Sequence, residues 1–460
     1  MSAALVLEGQ ADGWRLDKLT TLSGWGRYPR RECAVIHARA PGDASIALAA
    51  GGALIARGNG RAYGDAALGV PGTLAMRGAN RMLGFDPASG VLVAEAGVTL
   101  AEVINTFLPR GWFPAVTPGT RFVTLGGAIA ADVHGKNHHQ DGSFASCVGW
   151  IDILAADGQV HRISRSENAE LFGWTCGGMG LTGVILRAAI RLRPVETGWV
   201  RQRAMPAPGL ASAMAVFEQS HEATYSVAWI DCLAKGRDLG RSIVMLGEHA
   251  ALSELGEREA ADPFVTRRKG AKTVPFDLPQ LALNPLSVRA FNALYYGMGA
   301  WNAGESLIDF ESYFYPLDAL REWNRIYGRA GFAQFQCVLP LAASAEGLAA
   351  LLKAIGRTGQ GSFLAVLKRM GPQDSPFSFP MEGYTLALDF PVRPDTAHLF
   401  AELERIAIDH GGRFYLAKDA FLSAASQRAA DPRTLAFAAM RAKTGAAGQF
   451  ASALSERLAL

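Results

Sequence analysis

A chain of 460 residues has room for two domains or one large one, and with 49% apolar residues it can fill a sizeable core. Forty-five Lys and Arg against 42 Asp and Glu leave +3 (45 − 42), too even for a general nucleic-acid binder. Five cysteines, an odd number without a Cys-x-x-Cys, argue against a disulfide framework; no basic-then-apolar leader opens the chain, and the longest apolar run, Ile46–Ala56, falls short of the ~20 residues of a membrane span, so a cytoplasmic protein is expected.

Along the chain, "GALIARG" reads as a buried strand ending at Arg57-Gly58. A loop follows directly: Gly58, Asn59, Gly60, Arg61, Ala62, Tyr63, Gly64, Asp65. "GVLVAEAG" is a second strand from Val91, and "LAEVINTFLPRG" has helical spacing that stops at Gly111. Pro118-Gly119-Thr120 and then Thr124-Leu125-Gly126-Gly127 form a second glycine loop, ahead of a short Ala-rich helical turn. Both loops offer closely spaced backbone N–H groups with little side-chain bulk, and such nests hold phosphate oxygens. Two of them, each after strand-like sequence, suggest a diphosphate gripped from two sides.

Next comes Ala131-Asp132-Val133-His134-Gly135-Lys136-Asn137-His138-His139. Zinc is not expected here: His134 and His138 share a face only on a helix, which Gly135 and Asn137 disfavour, and no cysteine or acidic cluster completes a site. The alternatives are a polar loop with satisfied histidines and a loop against a cofactor. "WIDILAADGQVHRIS" predicts a hairpin turning at Asp157-Gly158. Ser164-Arg165-Ser166-Glu167 reads as a capping box for a helix "ENAELFGW". Gly178-x-Gly180-x-x-Gly183 then matches a nicotinamide fingerprint, but with helix before and strand "VILRAAIRLRP" after. A dinucleotide site needs the reverse order, so a tight backbone passage beside a ligand is expected instead.

Beyond Pro194, 213–235 and 330–340 have strand character, while 317–328 and 343–357 are helical. The stretch 262–302, with Arg267, Arg268, Lys269 and Lys272 before the apolar "VRAFNALYYGMGAW", reads as a long lid-like loop. From Gly411 a strand-like "GGRFYLAKD" leads into helices. The mixture predicts an α+β fold. Gln334-Phe335-Gln336 places both amides on one face of a strand, suited to hydroxyl recognition. Trp229 and Tyr315 are candidate pocket walls and Lys368 a phosphate partner.

Together "IARGNGRAYGD", "TPGTRFVTLGGAIAADVHGKNHH" and "GGMGLTGVI" resemble the FAD-binding domain of the vanillyl-alcohol oxidase (PCMH-type) superfamily. Within it, the likeness is closest to the flavin subunits that oxidise a polyprenylphosphoryl-β-D-ribose at its 2′-hydroxyl, the first half of an epimerisation to an arabinose donor for cell-wall glycans. It runs from "LSGWGR" through "AWIDC", "FYPLD", "EWNRIYGRAGFAQFQCVLP", "SFP" and "LDFP" to "YLAKD", nearly the whole chain. The resemblance implies a two-part FAD-binding domain, residues 1–195 and 412–460, with an inserted α+β substrate domain, 196–411. It places Arg57–Gly64, Gly119, Thr124–Gly127, Ala131–His134, Ile185 and Tyr415 on the cofactor. Lys136, Trp229, Tyr315, Gln334, Gln336, Lys368, Thr385, Ala387 and Lys418 face the substrate. Lys418 is the first choice for the group at the reacting hydroxyl, with Tyr63 as runner-up base and His134 beside the flavin.

Some superfamily members bond FAD through a histidine or cysteine where this chain has Arg61 and Thr117, which implies noncovalent FAD. A separate NAD(P)H-dependent ketoreductase, a quinone or oxygen as electron acceptor, and peripheral contact with the inner membrane are the implied partners. The competing reading is a soluble alditol or aldonolactone oxidase that makes hydrogen peroxide. Three positions depart from the subgroup: Ala387 stands where mycobacterial members carry a cysteine, Thr385 where asparagine is usual, and "YFYPLD" has its aromatic order swapped. The missing thiol removes any thiol-directed inhibition, and the ribose pocket is altered.

Overall fold

The computed structural model describes residues 19–69, 71–265, 272–279 and 283–460. In the first half, strands Val35–His37, Thr73–Ala75 and Ile55–Arg57 form a small parallel sheet in that order, with helix Gly42–Ala49 in the crossover. A larger antiparallel sheet runs Val160–Ser164, Val148–Leu154, Val184–Pro194, Val91–Glu95, Met82–Asp86, with Trp112–Pro114 on the far end of Val184–Pro194. Helix Leu100–Phe107 opens on a capping box, Glu102 N donating to Thr99 Oγ1 (3.2 Å) and Thr99 N to the Glu102 carboxylate (2.7 Å). It continues as a 3₁₀ turn, Leu108–Arg110, that ends at Gly111, whose φ of 79° suits glycine. Leu100, Val103 and Phe107 share one face and bury it against Leu92, Ile151 and Ile190 of the sheet.

The second half is built on one eight-stranded antiparallel sheet. Its order is Gly304–Asp309, Trp199–Ala207, Ser242–His249, Tyr225–Ile230, Ala365–Met370, Gly383–Pro391, Phe332–Pro340, Arg413–Phe414. Period-2 alternation divides its residues. Phe335, Cys337, Leu367, Leu386 and Leu388 join a core with Leu351 and Leu352 of helix Leu341–Thr358 and Leu399 and Leu403 of helix Thr396–Asp409. The opposite face carries Gln334, Gln336, Val366, Lys368, Thr385, Ala387 and Asp389 toward the first half. The fold is α+β.

After Phe414 the chain makes a turn and its last helices return to the first half. Leu54 N donates to Gln449 O (2.9 Å) and Ala451 N to Leu54 O (3.1 Å). Arg457 pairs with Asp65 and with Asp419, each at 2.8 Å.

Several local expectations need correction. Within 213–235 only Tyr225–Ile230 is strand; Leu210–Gln219 is a helix, its Leu210, Ala213 and Phe217 buried. In 317–328 there is only a two-residue strand, Leu320–Arg321, and a 3₁₀ turn, Trp323–Tyr327. Ser164 Oγ accepts from Glu167 N (3.0 Å) as a cap would, but the helix starts at Ala169, because Asn168 is left-handed (φ 51°). The supposed lid contains a 17-residue helix, Pro285–Trp301, capped by Asn284 with proline in its first turn. Arg267, Arg268 and Lys269 lie outside the described residues. Lys418 and Asp419 sit in a turn, not on a strand, and Asp419 faces Arg457.

Candidate functional site

Between the first-half loops and the bare face of the large sheet lies an open cleft of about 300 Å³. That falls within the ~300–1,000 Å³ of a usual ligand pocket.

The loop wall is assembled by close approach. Gly58 packs so tightly on Thr124 that a Cβ there would collide with Thr124 Oγ1. Asn59 Nδ2 donates to Phe122 O (2.9 Å), tying the two glycine loops together. The expected donor role of Thr124–Gly127 is corrected. Leu125 N donates to Val98 O, Gly126 N to Ala96 O and Gly127 N to Thr124 Oγ1. These glycines serve proximity instead, since a Cβ on Gly126 would lie 2.9 Å from Ala96 Cβ. The uncommitted donors are elsewhere: the N–H groups of Asn59, Gly60, Arg61, Gly119 and Thr120 donate to no described residue. Gly60 reaches its φ of 62° without strain. The Arg61 guanidinium stacks 4.0 Å from the Trp25 ring, and its buried Nε has no hydrogen-bond partner among the described residues. Ala62, Ala131, Val133 and Ile185 line the same wall, as do Met179, Gly180 and Gly183 of the glycine passage.

His134 is 6% exposed. Gln336 Nε2 lies 3.0 Å from its Nε2 and 3.2 Å from Thr385 Oγ1, which itself donates to Cys337 O. With the amide donating, the ring proton sits on Nδ1, a buried atom without a partner. Burial, then Lys368, His138 and Lys418, hold the pKa of His134 well below its usual value, so the ring is neutral. Tyr415 donates to Ala131 O (3.0 Å) and stacks on Phe379.

On the sheet wall, Lys418 Nζ lies 3.3 Å from the centre of the Tyr63 ring. Burial pulls the Lys418 pKa down to about 7, with Asp389 pushing it up and Lys368 pulling it further down. Burial lowers Lys368 to about 8 and raises Tyr63 well above its usual range, so Tyr63 keeps its proton. Gln334 donates to Asp389, whose pKa burial raises. No cysteine lines the cleft, and burial pushes Cys337, on the other face of the sheet, up to about 12.

Seven expected site residues do not line it. Arg57 donates to Ser23 O (2.8 Å) and Ala67 O (3.2 Å), fixing the first loop from behind. Gly64 backs onto Asp419 O, and Leu125 is core. Asp132 accepts from Ser143 Oγ, Ala145 N, Gln373 Nε2 and Ser378 Oγ, so it anchors the histidine loop. Lys136 donates to Tyr313 O and lies 4.0 Å over the Tyr313 ring, away from the cleft. Trp229 donates to Phe363 O (3.1 Å) and packs on Tyr295 of helix Pro285–Trp301. Tyr315 Oη meets Thr117 Oγ1 at 2.5 Å. His138 meets Gln373 Oε1 (2.8 Å) and accepts from Gly371 N (3.2 Å), while His139 Nε2 meets Ala223 O (2.8 Å).

Among the lining residues that the predicted site lacks are Trp25, Asp318, Trp323 and Asp389. Asp389 had a signal, being the third of the same-face run Thr385, Ala387, Asp389; Trp25, Asp318 and Trp323 lie in the motifs "LSGWGR", "FYPLD" and "EWNRIYG" that carry the resemblance.

Residues 44–164 match the FAD binding domain family. Over 451 residues the chain is 36% identical to decaprenylphosphoryl-β-D-ribose oxidase of Mycolicibacterium smegmatis, covering 95% of this chain and 97% of that protein. An uncharacterized protein in the mprA 5′ region of Streptomyces coelicolor is 33% identical over 375 residues, 79% of this chain and 100% of that protein. Human Δ(24)-sterol reductase is 30% identical over 144 residues, only 31% of this chain and 27% of the reductase. FAD fits the cleft: uncommitted loop N–H groups and the unpartnered Arg61 Nε suit its diphosphate, and a Cβ on Gly119 would meet only open space.

Proposed function

Because the chain belongs to the decaprenylphosphoryl-β-D-ribose oxidase family and is an FAD-dependent oxidoreductase, we propose that it oxidises the 2′-hydroxyl of a polyprenylphosphoryl-β-D-ribose to the 2′-ketone. The observation that carries this reading is that Lys418, Lys368, Gln334 and Gln336 line the same cleft as the FAD loops, with Lys418 Nζ over the Tyr63 ring.

Residues 1–195 and 412–460 hold the cofactor, and 196–411 present the substrate. The N–H groups of Asn59–Arg61 and Gly119–Thr120, with the Arg61 guanidinium, bind the diphosphate. Ala131, Val133 and His134 would hold its ring system, and the attachment would be noncovalent, since Arg61 and Thr117 form no flavin bond. FAD, when bound, supplies the hydride acceptor. Gln334 and Gln336 hold ribose hydroxyls, each amide having a donor and an acceptor. Lys368 takes the phosphate. Lys418 Nζ, as the neutral amine, accepts the proton from the 2′-oxygen while the C2′ hydrogen departs as hydride. Trp25, Trp323, Leu364 and Val366 exclude water from the reacting face. A separate NAD(P)H-dependent ketoreductase reduces the ketone, and a quinone or oxygen reoxidises the flavin.

The substrate test is a comparison of kcat/KM. A prenylphosphoryl-ribose should be preferred over free alditols and aldonolactones by orders of magnitude; preference for the free sugars, with peroxide formed, favours a soluble alditol oxidase instead.

A lipid-linked substrate also calls for contact with the inner membrane from the cytoplasmic side. Among the described residues no helix is long and apolar enough to cross a membrane. Helix Pro285–Trp301 nevertheless leaves Leu286, Leu294 and Trp301 mostly exposed, an apolar surface suited to the headgroup boundary. Replacing Leu286, Leu294 and Trp301 together with serine should weaken binding to anionic vesicles roughly tenfold or more, given ~1.5–3 kcal/mol per buried apolar side chain. Unchanged sedimentation with vesicles would discard this contact.

A further inference from the structure

We propose that Asp389 is a positioning residue for the oxidation: from the sheet wall its carboxylate sets the charge state of Lys418 and so decides when that amine can take the hydroxyl proton. The inference rests on the reading of the cleft as the site of alcohol oxidation.

Asp389 is 1% exposed and lies opposite Gln334 in the sheet register. A carboxylate at that depth is costly unless something compensates it. Its compensation is thin. Gln334 Nε2 donates to Oδ1, and Oδ2 forms no hydrogen bond with any described residue. No described cation lies within ion-pair distance; Lys418, which lines the same cleft, is the cation whose charge favours its ionised form. Its other titratable neighbours are Tyr63 and Tyr327, both phenols driven up chiefly by burial and next by Asp389. Tyr327 Oη is itself buried and unpartnered.

Seen from Lys418, the surroundings are Tyr63, Lys368, the neutral His134 and Asp389. Asp389 is therefore the one carboxylate acting on an amine that burial and a second lysine both push toward neutrality. Amine and carboxylate titrate as a pair. In the proposed step the 2′-O–H bond breaks and an Nζ–H bond forms, while the C2′–H bonding pair leaves with its hydrogen for the flavin. The new ammonium stands in the cleft that Lys368 also lines, and the Asp389 carboxylate is what balances it. Gln334 acts one step further back, as the donor that favours the ionised carboxylate.

Asp389→Asn keeps an oxygen for Gln334 and removes the charge. Two readouts follow Lys418: the pH dependence of anaerobic flavin reduction by a prenylphosphoryl-ribose, and the pH dependence of Lys418 acetylation by acetic anhydride, quantified by peptide mass spectrometry. In wild-type holoenzyme both midpoints should agree. In Asp389→Asn both should fall by about one pH unit or more, the range for loss of a close opposite charge. Asp389→Glu should stay with wild type, and Gln334→Leu should move the midpoints the same way by less. A lower rate with unmoved midpoints in both Asp389→Asn and Gln334→Leu would make Asp389 merely structural and overturn the proposal, as would midpoints that rise. If Asp389→Asn cannot retain FAD, Gln334→Leu decides. If wild type is never reduced by the substrate while the acetylation midpoint still moves, the substrate assignment fails and the Asp389–Lys418 coupling stands.

Discussion

Replacing Lys418 with methionine is expected to leave FAD bound and slow flavin reduction by roughly 10²–10⁴-fold, the usual weight of a positioned general base. Methionine keeps an unbranched apolar stem against the Tyr63 ring and loses only the amine, so the cleft should keep its shape. The pH dependence separates lost base from lost packing. Lys418 accepts a proton only as the neutral amine, and burial has brought its pKa from 10.5 to about 7. In wild type the rate should therefore rise through about pH 7 and level off above it, since below its pKa the group is an ammonium with nothing to accept. In Lys418→Met that rising limb should vanish along with the rate. Lys418→Arg should not rescue, because a guanidinium stays charged over this range. Stopped-flow absorbance under anaerobic conditions reads all three proteins. A Lys418→Met enzyme reduced within tenfold of wild type would remove Lys418 from the chemistry.

Gly58→Ala carries the other large expected effect, this time on the cofactor. The new methyl would be driven into Thr124 Oγ1, and Thr124 has little freedom to yield because that oxygen caps Gly127 N (3.2 Å). The two loops that frame the diphosphate would have to part. Overpacking of this kind costs about 1–3 kcal/mol, or roughly 10- to 100-fold in FAD affinity if the strain is relieved on losing the cofactor. Titration of apoprotein with FAD should show that loss. Thr124→Ala removes the colliding atom, so the double variant should bind FAD better than Gly58→Ala alone, at a cost of about 1 kcal/mol for the lost cap. Wild-type affinity in the single variant would mean that the loops do not meet at the cofactor.

Much of this was legible in the residues, for identifiable reasons. The hairpin Val148–Ser164 and strand Val184–Pro194 announce themselves by alternation and turn chemistry. The two glycine loops and the Gln334–Gln336 pair sit where local backbone rules place them. Lys418 entered through the resemblance; its local reading as a strand residue was wrong, because the chain turns there. Helix Pro285–Trp301 was hidden because it carries apolar side chains on its exposed side too, which erases the contrast that marks an amphipathic helix. Leu210–Gln219 was hidden by its location in a strand-like neighbourhood. Lys136, Trp229 and Tyr315 do not line the cleft and instead contact Tyr313, Phe363 and Thr117, partners remote in sequence. The donors for the diphosphate shifted from Gly126-Gly127 to Asn59–Arg61 and Gly119-Thr120 for the same reason: which N–H groups are already committed depends on the strands packed behind them.

The most direct test of the account is a single-turnover experiment with a prenylphosphoryl-ribose deuterated at C2′. Mixed anaerobically with the yellow holoenzyme, it should bleach the long-wavelength flavin band, more slowly than the protiated substrate, and yield the 2′-ketone. A flavin that stays oxidised with this substrate but bleaches with a free alditol would contradict it.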